Sequence, residues 1–374
     1  MDDLGVVIIG AGPAGISAAL SLRDLGIRSL VVERGGEVAA AWHERYDRLK
    51  LNTGRQFSHL PKRRYPKGTP TYPSRDQVVG HIQSHARTAG VELRTNTEAK
   101  GIDKSSSGWL VSTSGGEIDA RHLVIATGYL HTPVTPNWPG EFTGELSHSY
   151  SYRNPARYAG KRVLVVGSGS SGLEIAHDLG TGGAAEVWLS VRTPPNIMVR
   201  NGPAGLPNDV LSIPLYHLPA RVSDRIARVA RLKAFGDLSE YGLPIPAEGP
   251  FARAHRLRVA PTIVDLEVID ALREGVVEVV PAVTGFERSD VILDDGRRLR
   301  PDAVIAATGY RTGLESLVGH LGVLTSDGMP LHLAPAHTAK NLYFHGLLTR
   351  PALIGYVAKQ SRALAKRIAR AEQR

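Results

Sequence analysis

Apolar and polar positions near the N-terminus predict a strand, a helix and a second strand in close succession. Residues 6–9 form a β-branched apolar run, which predicts a buried parallel strand. Residues 16–25 repeat their apolar positions with helical spacing, and Gly26 ends that helix. The apolar run of residues 30–32 predicts the next strand, and Glu33 follows it directly.

The loop between the first strand and the helix contains Gly10, Gly12 and Gly15. In a dinucleotide-binding unit the first glycine permits a tight turn, the second lets the backbone approach a pyrophosphate, and the third packs the helix on the strand. The helix N-terminus then faces the phosphate, and an acid such as Glu33 accepts hydrogen bonds from a ribose. The pattern predicts a dinucleotide site, with a tight turn in another kind of α/β protein as the alternative.

A second unit of the same kind begins at the apolar run of residues 162–166. Gly167, Gly169 and Gly172 follow, and then come a helical segment at 173–179 and a strand at 186–190. This strand leads into Arg192 and is followed by no acid. Because an arginine suits the 2′-phosphate of NADP, the second unit is predicted to bind NADP. An ordinary surface arginine is the alternative.

The features that follow each unit also repeat. A hairpin signal, an apolar strand and the tetrapeptide Ala-Thr-Gly-Tyr occur up to residue 129 and again up to residue 310. An internal repeat of this kind indicates two copies of one architecture. The sequence therefore predicts an α/β fold with two dinucleotide-binding, Rossmann-like domains.

Three segments outside the repeat have interpretations of their own. Residues 34–75 are rich in loops, and a long irregular segment in a compact domain is usually functional. Residues 194–260 are proline-rich and then basic and helical, and we interpret them as an insertion that covers the site or binds a partner. Residues 356–370 form an amphipathic basic helix, for which docking is favoured over resting on a membrane.

The helix predicted at residues 76–89, with Ser74 as its cap, carries His81 and His85 at i and i+4. That spacing could hold a metal ion, but no third ligand is apparent. A surface or core pair is the favoured interpretation, and no metal site is predicted.

Composition narrows the chemistry further. The 374 residues include no cysteine, which excludes disulfides, thiolate metal sites and a dithiol reductase of the thioredoxin reductase type. The net charge of +9 permits acidic ligands, but the basic residues lack aromatic interleaving, so no nucleic-acid partner is expected. Apolar residues 4–22 follow two acids and are interrupted by glycines, unlike a signal peptide, and no run is long enough to span a membrane. We expect a cytoplasmic protein.

With both glycine loops in view, the chain resembles the flavin-containing monooxygenases. Their fingerprint is Phe-x-Gly, three residues, His, three residues, and Phe or Tyr, and it matches Phe142, Gly144, His148 and Tyr152. The related Baeyer–Villiger enzymes have tryptophan at the last position, so Tyr152 argues against that branch.

Within that family the chain looks most like the YUCCA-type enzymes, which oxidatively decarboxylate indole-3-pyruvate. The likeness is carried by residues 46–51 (Tyr-Asp-Arg-Leu-Lys-Leu), by the basic helical insertion, and by residues 235–243 and 279–281. The chain departs from that pattern after Leu51. YUCCA-type enzymes usually have histidine there, whereas Asn52-Thr53 follows the general family pattern.

The resemblance implies FAD at the first loop and NADPH at the second, with the NADPH domain inserted into the FAD domain. Residues 1–150 and 305–374 would form the FAD-binding domain, and residues 151–304 the NADPH-binding domain with its insertion at about 194–260. Asn52 matches the asparagine that the family places near the reactive edge of the flavin, and it is the expected catalytic residue. His148 is expected to be architectural and not an acid or base.

The expected cofactor-binding residues all lie in or beside the glycine loops, at the strand ends or in the loop before Asn52. They are Gly10, Gly12, Pro13, Ala14, Gly15, Glu33, Arg34, Trp42, Leu51, Asn52, Thr127, Gly128, Gly167, Ser168, Gly169, Ser170, Ser171, Gly172, Arg192, Thr308, Gly309 and Tyr310.

The implied activity is that of an FAD-dependent NADPH monooxygenase. It would form a C4a-(hydro)peroxyflavin and oxygenate a small organic substrate: a 2-oxo acid, an amine or a sulfide. The substrate and O2 are the expected partners, and the oligomeric state stays open, a homodimer included. Two alternatives remain: an NAD(P)H-dependent flavin reductase that passes electrons to a quinone or a ferredoxin-like acceptor, and a non-catalytic nucleotide sensor.

Overall fold

A computed structural model describes residues 4–202, 205–348 and 352–373 of the chain. The described residues form two compact units. Unit 1 draws on Met1–Glu44, Leu49–Thr132 and Tyr310–Arg374, and unit 2 on Arg45–Arg48 and Pro133–Gly309. Apart from the segment Arg45–Arg48, unit 2 is one continuous stretch inserted into the sequence of unit 1. Residues 133–150 and 305–309, assigned to the FAD-binding domain by the sequence, lie in unit 2.

The helices of the described chain range in length from one turn to 20 residues. They are α1 Pro13–Arg23, α2 Ala40–His43, α3 Arg75–Thr88, α4 Ser170–Thr181, α5 Asn208–Leu215, α6 Ala220–Phe235, α7 Pro250–Leu257, α8 Leu266–Arg273, α9 Glu315–Val318 and α10 Leu353–Glu372.

The strands are mostly short. They are β1 Leu4–Ile9, β2 Leu30–Val32, β3 Glu92–Arg94, β4 Ala99–Lys104, β5 Trp109–Thr113, β6 Gly116–Ile125, β7 Thr132–Pro133, β8 Glu145–His148, β9 Arg162–Val166, β10 Glu186–Ser190, β11 Ile197–Val199, β12 Thr262–Val264, β13 Glu278–Val280, β14 Val283–Glu287, β15 Asp290–Leu293, β16 Arg298–Leu299, β17 Ala303–Ala306, β18 Tyr310–Arg311 and β19 Leu342–Phe344.

The main sheet of unit 1 has the strand order β3-β2-β1-β6-β5-β4, and β19 also pairs with β6. Strand β1 is parallel to both β2 and β6. Val6 and Ile8 pack in one apolar cluster, and Val7 and Ile9 pack in another. Because both faces of the strand are covered, the run tolerates no polar position, which explains its continuous hydrophobicity.

The main sheet of unit 2 is wholly parallel, in the order β13-β10-β9-β17-β8. Leu164 and Val166 of β9 pack in a cluster that includes Phe286 and Val291 of the antiparallel β14–β15 pair.

The two sheets correspond strand by strand. The order β19-β6-β1-β2-β3 in unit 1 matches β8-β17-β9-β10-β13 in unit 2. The outer strand comes late in the chain in unit 1, at β19, but precedes the glycine loop in unit 2, at β8. The predicted fold class, two Rossmann-like α/β units with the second inserted into the first, is confirmed.

Local predictions in unit 1 also hold. Helix α3 begins one residue before its predicted start, and Ser74 and Gln77 form a reciprocal capping box at its N-terminus. His81 of α3 is buried and stacks on Tyr65 with ring centroids 4.0 Å apart, and His85 meets His81 edge-on at 4.7 Å.

The terminal helix α10 is docked. It packs on α1 and buries Val357, Leu364 and Ile368, while Lys359 and Lys366 stay exposed. Among the described residues, no helix is long and apolar enough to cross a membrane.

Candidate nucleotide-binding sites

The first glycine loop connects β1 to α1 in unit 1 and requires glycine at two positions. Gly10 has φ +103°, and a Cβ built on it would lie 2.6 Å from the carbonyl oxygen of Ala126. A Cβ on Gly15 would lie 1.8 Å from the carbonyl oxygen of Gly10. Any larger residue at either position would have to displace backbone, so the loop can only be built with glycine there.

The middle glycine of this loop faces open space. Gly12 is the N-cap of α1, and a Cβ on it would meet no atom within 4 Å. No side chain caps the helix, and Pro13 occupies its first turn without needing an amide partner. Ala14 packs against the apolar cluster behind the loop. The open space and the uncapped amides of α1 form a cradle with the shape and polarity that suit a pyrophosphate.

Glu33 supports the loop from the end of β2. Its Oε2 accepts a hydrogen bond from Ala11 N at 2.7 Å, and its Oε1 accepts one from Gly35 N at 2.8 Å. Each carboxylate oxygen retains a second lone pair, which can accept from a ribose hydroxyl. The acid therefore stabilises the loop and can contact a nucleotide.

Three other predicted residues of unit 1 lie at or after its strand ends. The Thr127 Oγ1 atom is buried and has no hydrogen-bond partner among the described residues, and Gly128 follows it with φ +80°. A buried hydroxyl without a partner is costly in a completed structure, so it fits a site that a ligand fills. The exposed Arg34 donates from Nη1 to His131 Nε2 at 3.1 Å, where burial and Arg34 hold the pKa of His131 below its usual value.

Trp42 and the segment around Asn52 belong to unit 1 as well. Trp42 of α2 packs half-buried against the main apolar cluster. Leu51 is buried, and its amide donates to Pro73 O at 2.9 Å. Asn52 is half-buried, and the next residue, Thr53, bonds to Ser58 through their hydroxyls at 2.6 Å. The loop that carries Asn52 is thus held in place by contacts on both sides.

The second glycine loop, between β9 and α4 in unit 2, repeats this backbone geometry. Gly167 has φ +120°, and a Cβ on it would lie 2.4 Å from the carbonyl oxygen of Ala307. A Cβ on Gly172 would lie 1.8 Å from Gly167 O. Gly169 is the uncapped N-cap of α4, and a Cβ there would again meet nothing within 4 Å.

The serines of the second loop tie it to neighbouring segments. Ser168 Oγ donates to Thr193 O at 3.2 Å, and its carbonyl accepts from Thr262 Oγ1 at 3.1 Å. Ser170 Oγ accepts from Ile263 N at 2.9 Å. Strand β12 therefore supports this loop through residues of its own.

Arg192 is the second residue after β10, whereas Glu33 follows β2 directly, so the register position of Glu33 is taken by Val191 and Arg192 corresponds to Arg34. Its side chain is exposed, and within the described residues it makes no ion pair or hydrogen bond. The guanidinium is available to an anionic ligand.

The remaining predicted residues lie after β17. Thr308 donates from Oγ1 to Val134 O at 2.5 Å. Gly309 has φ +94°, and Tyr310 begins β18 in unit 1.

The fingerprint residues all make structural contacts within unit 2. The rings of Phe142 and Phe286 lie 5.4 Å apart, and a Cβ on Gly144 would lie 2.6 Å from the Phe142 ring. Tyr152 is buried, and its hydroxyl donates to Asp178 Oδ2 on α4 at 2.7 Å. The fingerprint segment thus supplies β8, the outer strand of the second sheet.

His148 has a defined tautomer. Its Nδ1 accepts from Tyr150 N at 3.0 Å, so Nε2 carries the proton and donates to Gly309 O at 3.1 Å. Burial lowers the pKa of His148, which favours the neutral ring. Both ring nitrogens hold backbone, as the expected architectural role requires.

A buried polar network in unit 2 was not predicted from the sequence. Glu174 of α4 accepts a hydrogen bond from Tyr46 Oη at 2.5 Å and pairs with Arg200, which also pairs with Asp265 at 2.6 Å. Burial raises the pKa of Glu174, and Arg200 opposes that rise. The signal that could have found it is Glu174 itself, a charge among the apolar positions of its helix.

Comparisons with known proteins agree with this geometry. Residues 7–200 match the family described as pyridine nucleotide-disulphide oxidoreductase. The chain is 35% identical over 340 residues to indole-3-pyruvate monooxygenase YUCCA1 of Oryza sativa subsp. japonica, an overlap of 87% of this chain and 81% of that protein. It is 34% identical over 362 residues to probable indole-3-pyruvate monooxygenase YUCCA9 of Arabidopsis thaliana, covering 94% and 86%.

Solved structures share the fold. A flavin-containing monooxygenase from Stenotrophomonas maltophilia is similar with a TM-score of 0.73 and 23% identity, over 99% of each chain. OTEMO in complex with FAD and NADP is similar with a TM-score of 0.76 and 18% identity, over 99% of this chain and 84% of that chain.

Proposed function

This chain belongs to the flavin-containing monooxygenase family and is a flavin-dependent NAD(P)H monooxygenase, and from that premise we propose that it uses FAD, NADPH and O2 to oxygenate a small organic substrate. One observation carries the assignment of the cofactors. Two glycine loops have the same open cradle, and the next strand of each unit leads into a side chain of opposite charge, Glu33 directly after β2 and Arg192 two residues after β10.

The first loop fits FAD. Gly12 leaves room for the pyrophosphate, Glu33 can accept from the ribose, and the buried Thr127 hydroxyl lacks a partner that a ligand could supply. The loop and Glu33 would hold FAD, which would supply the redox chemistry that takes up hydride from NADPH and activates O2. The proposed role of Asn52 is to orient the reacting edge of the flavin through its side-chain amide, without transferring a proton.

The second loop fits NADPH. Gly169 leaves the same room for a pyrophosphate, and the unpaired guanidinium of Arg192 matches a 2′-phosphate in charge and in donor geometry. The contacts of Ser168 and Ser170 with β12 and with Thr193 hold the loop while the nucleotide binds. The division of the chain into an FAD-binding and an NADPH-binding domain, with the boundaries predicted from the sequence, remains a proposal.

Disulfide chemistry, which the name of the matching family includes, requires a thiol pair. The chain has no cysteine, so it has no such pair of its own. Oxygenation by a flavin needs no thiol pair, because the flavin carries the chemistry and the protein binds, orients and shields it.

The substrate class proposed first is an aryl 2-oxo acid, because the two relatives named above are indole-3-pyruvate monooxygenases. In that reaction the 2-oxo acid, O2, NADPH and a proton give the carboxylic acid one carbon shorter, CO2, water and NADP⁺. One oxygen atom enters the new carboxylate and the other leaves as water. Amines and sulfides are the further candidates.

The test is a product assay under ¹⁸O2. The purified yellow protein should oxidise NADPH faster when an arylpyruvate is present, and one ¹⁸O atom should appear in the shortened acid. If amines or sulfides are oxygenated instead, the substrate class changes but the monooxygenase function stands. Consumption of NADPH with a quinone as acceptor and no labelled product from any of the three classes would replace the proposal with the reductase alternative.

A further inference from the structure

Helix α6 in unit 2 buries polar residues and exposes apolar ones. It buries Ser223 and Arg231, while Val222, Ile226, Val229 and Leu232 are 43–49% exposed. The spacing of these four places them along one side of the helix, and we call them the α6 outer face. A surface helix normally buries its apolar stripe, so this orientation calls for a ligand on the exposed side.

Contacts on the buried side fix the orientation of the helix. Ser223 Oγ donates to Leu215 O at 2.7 Å, and Phe235 is buried at the helix end. The carboxylate of Asp224 accepts from Phe251 N at 2.8 Å and from Ala252 N at 3.2 Å, at the start of α7. Rotating the outer face inward would break each of these contacts.

The charged residues that α6 carries beside its outer face are all basic. Arg221, Arg225, Arg228 and Lys233 are exposed, and within the described part of the chain none of them makes an ion pair or a hydrogen bond. Asp224 is the only acid of α6, and its carboxylate is occupied at α7. An apolar row flanked by free cations is the pattern of a helix that lies in the interface of an anionic bilayer.

We propose that the α6 outer face binds an anionic phospholipid surface, which recruits the protein to membranes. The four apolar side chains would enter the boundary of the acyl region, and the arginine stems would carry their guanidinium groups to the phosphate level. A second copy of this chain fits less well, because an isologous contact would bring the same unpaired cations together. The proposal does not depend on the proposed function of the nucleotide sites.

Helix α10 offers a matched control. It also exposes basic residues, including Arg362 and Lys366, but its apolar residues Leu364 and Ile368 are buried in unit 1. Removing charge from α10 therefore changes the net charge of the protein without touching an exposed apolar face.

The test is co-sedimentation of the full-length FAD-loaded protein with vesicles of phosphatidylcholine, with or without phosphatidylglycerol. Binding should require phosphatidylglycerol and weaken with salt. Arg225→Gln with Arg228→Gln should lower the partition coefficient about thirtyfold, which corresponds to about 1 kcal/mol per basic residue near the surface. Ile226→Ser with Val229→Ser should lower it at least about tenfold through lost apolar burial. Arg362→Gln with Lys366→Gln should change it less than about threefold, because the apolar residues of α10 are buried and these two cations flank no exposed apolar face.

Circular dichroism and NADPH oxidation without vesicles should stay at wild-type level in every variant, which separates lost binding from lost folding. Absence of vesicle binding at low salt, or an equal loss in the α10 variant, would overturn the proposal. Two further results would replace it. A dimer that the serine pair converts to a monomer would assign the face to a second copy, and binding to polyglutamate that the serine pair leaves intact would assign it to an acidic protein.

Discussion

The two glycine loops have nearly the same backbone but different support. In both, the first glycine has a positive φ, at Gly10 and Gly167, and the third approaches the carbonyl oxygen of the first. In unit 1 the loop is held by the carboxylate of Glu33, whose oxygens accept from Ala11 N and Gly35 N. In unit 2 the support comes from Ser168 and Ser170, which bond to β12 and to Thr193.

This difference separates two tasks that one motif performs. The glycines provide a turn and a cradle, which any dinucleotide pyrophosphate needs. We propose that a side chain just after the second strand selects the ribose that the cradle accepts. Serines and β12 support the second loop without an acid, and the exposed Arg192 is the proposed contact for a phosphate.

The largest expected effect comes from filling either cradle. Gly12→Val and Gly169→Val should leave the apoprotein folded, because a Cβ at these positions meets nothing within 4 Å. Each should weaken the binding of its own cofactor by up to about hundredfold, since overpacking against a ligand costs up to about 3 kcal/mol. Titration of the apoprotein with FAD and the KM for NADPH measure the two effects. If both variants lost FAD alone, the assignment of two separate nucleotide sites would be wrong.

A smaller and opposite effect is expected at the third glycines. Gly15→Ala and Gly172→Ala place a Cβ 1.8 Å from backbone. Each should therefore destabilise its unit by about 1–3 kcal/mol even without cofactor. Thermal unfolding of the apoprotein measures this, with Gly12→Ala and Gly169→Ala as controls that should unfold like the wild type. Equal stability of Gly15→Ala and Gly12→Ala would contradict the contrast between the positions.

Arg192 tests the ribose choice. Arg192→Ala should raise the KM for NADPH about tenfold to hundredfold and leave the KM for NADH within about twofold, because a hydrogen bond to a charged group contributes about 1.5–3 kcal/mol. Arg192→Lys keeps the charge but loses the planar fork, so its KM for NADPH should fall between the two. Equal changes for both nucleotides would remove the 2′-phosphate role.

The smallest effect is a pH dependence at the outer strand of the first sheet. His345 follows β19, is fully buried, and bonds through Nε2 to Ser361 Oγ at 2.7 Å; burial lowers its pKa from 6.5 to about 4. A lowered histidine pKa means that the unfolded state binds more protons, so stability is complete above about pH 6.5 and falls as the pH drops toward 4. Between pH 6.5 and 5.5 the loss from this group is about 1 kcal/mol.

Urea unfolding of wild type and His345→Gln at both pH values isolates that contribution. The variant should lose less stability over the interval than the wild type. A steeper loss in the variant would show that His345 does not carry the dependence.

Much of the fold could be predicted because its signals are local. The apolar runs of β1 and β9, the glycines after them and the capping residue Ser74 constrain their own neighbourhoods, and the structure contains each element within a residue or a few of its expected bounds. For the candidate site, the identity of the cofactor-binding residues remains a prediction. The structure does explain why glycine is needed at positions 10, 15, 167 and 172.

The fingerprint segment shows what local signals could not decide. Residues 142–152 have the composition of a connector, and nothing in them indicates which sheet they join. The structure uses them as β8 beside β17, with His148 bonded to Gly309 and Tyr152 bonded to Asp178. These partners lie 161 and 26 residues away in the chain, so only the folded molecule brings them together.

The sequence by itself determined two dinucleotide-binding units, their order along the chain and the opposite charges at their strand ends. It could do so because β-branched runs and glycine loops express backbone constraints that act over a few residues. The tertiary structure alone decided that Arg200 pairs with Glu174, that the fingerprint belongs to unit 2, and that α6 turns its apolar row outward. Each of these depends on contacts between segments that are distant in the sequence. Such contacts form, and stabilise the protein, only when the chain has packed.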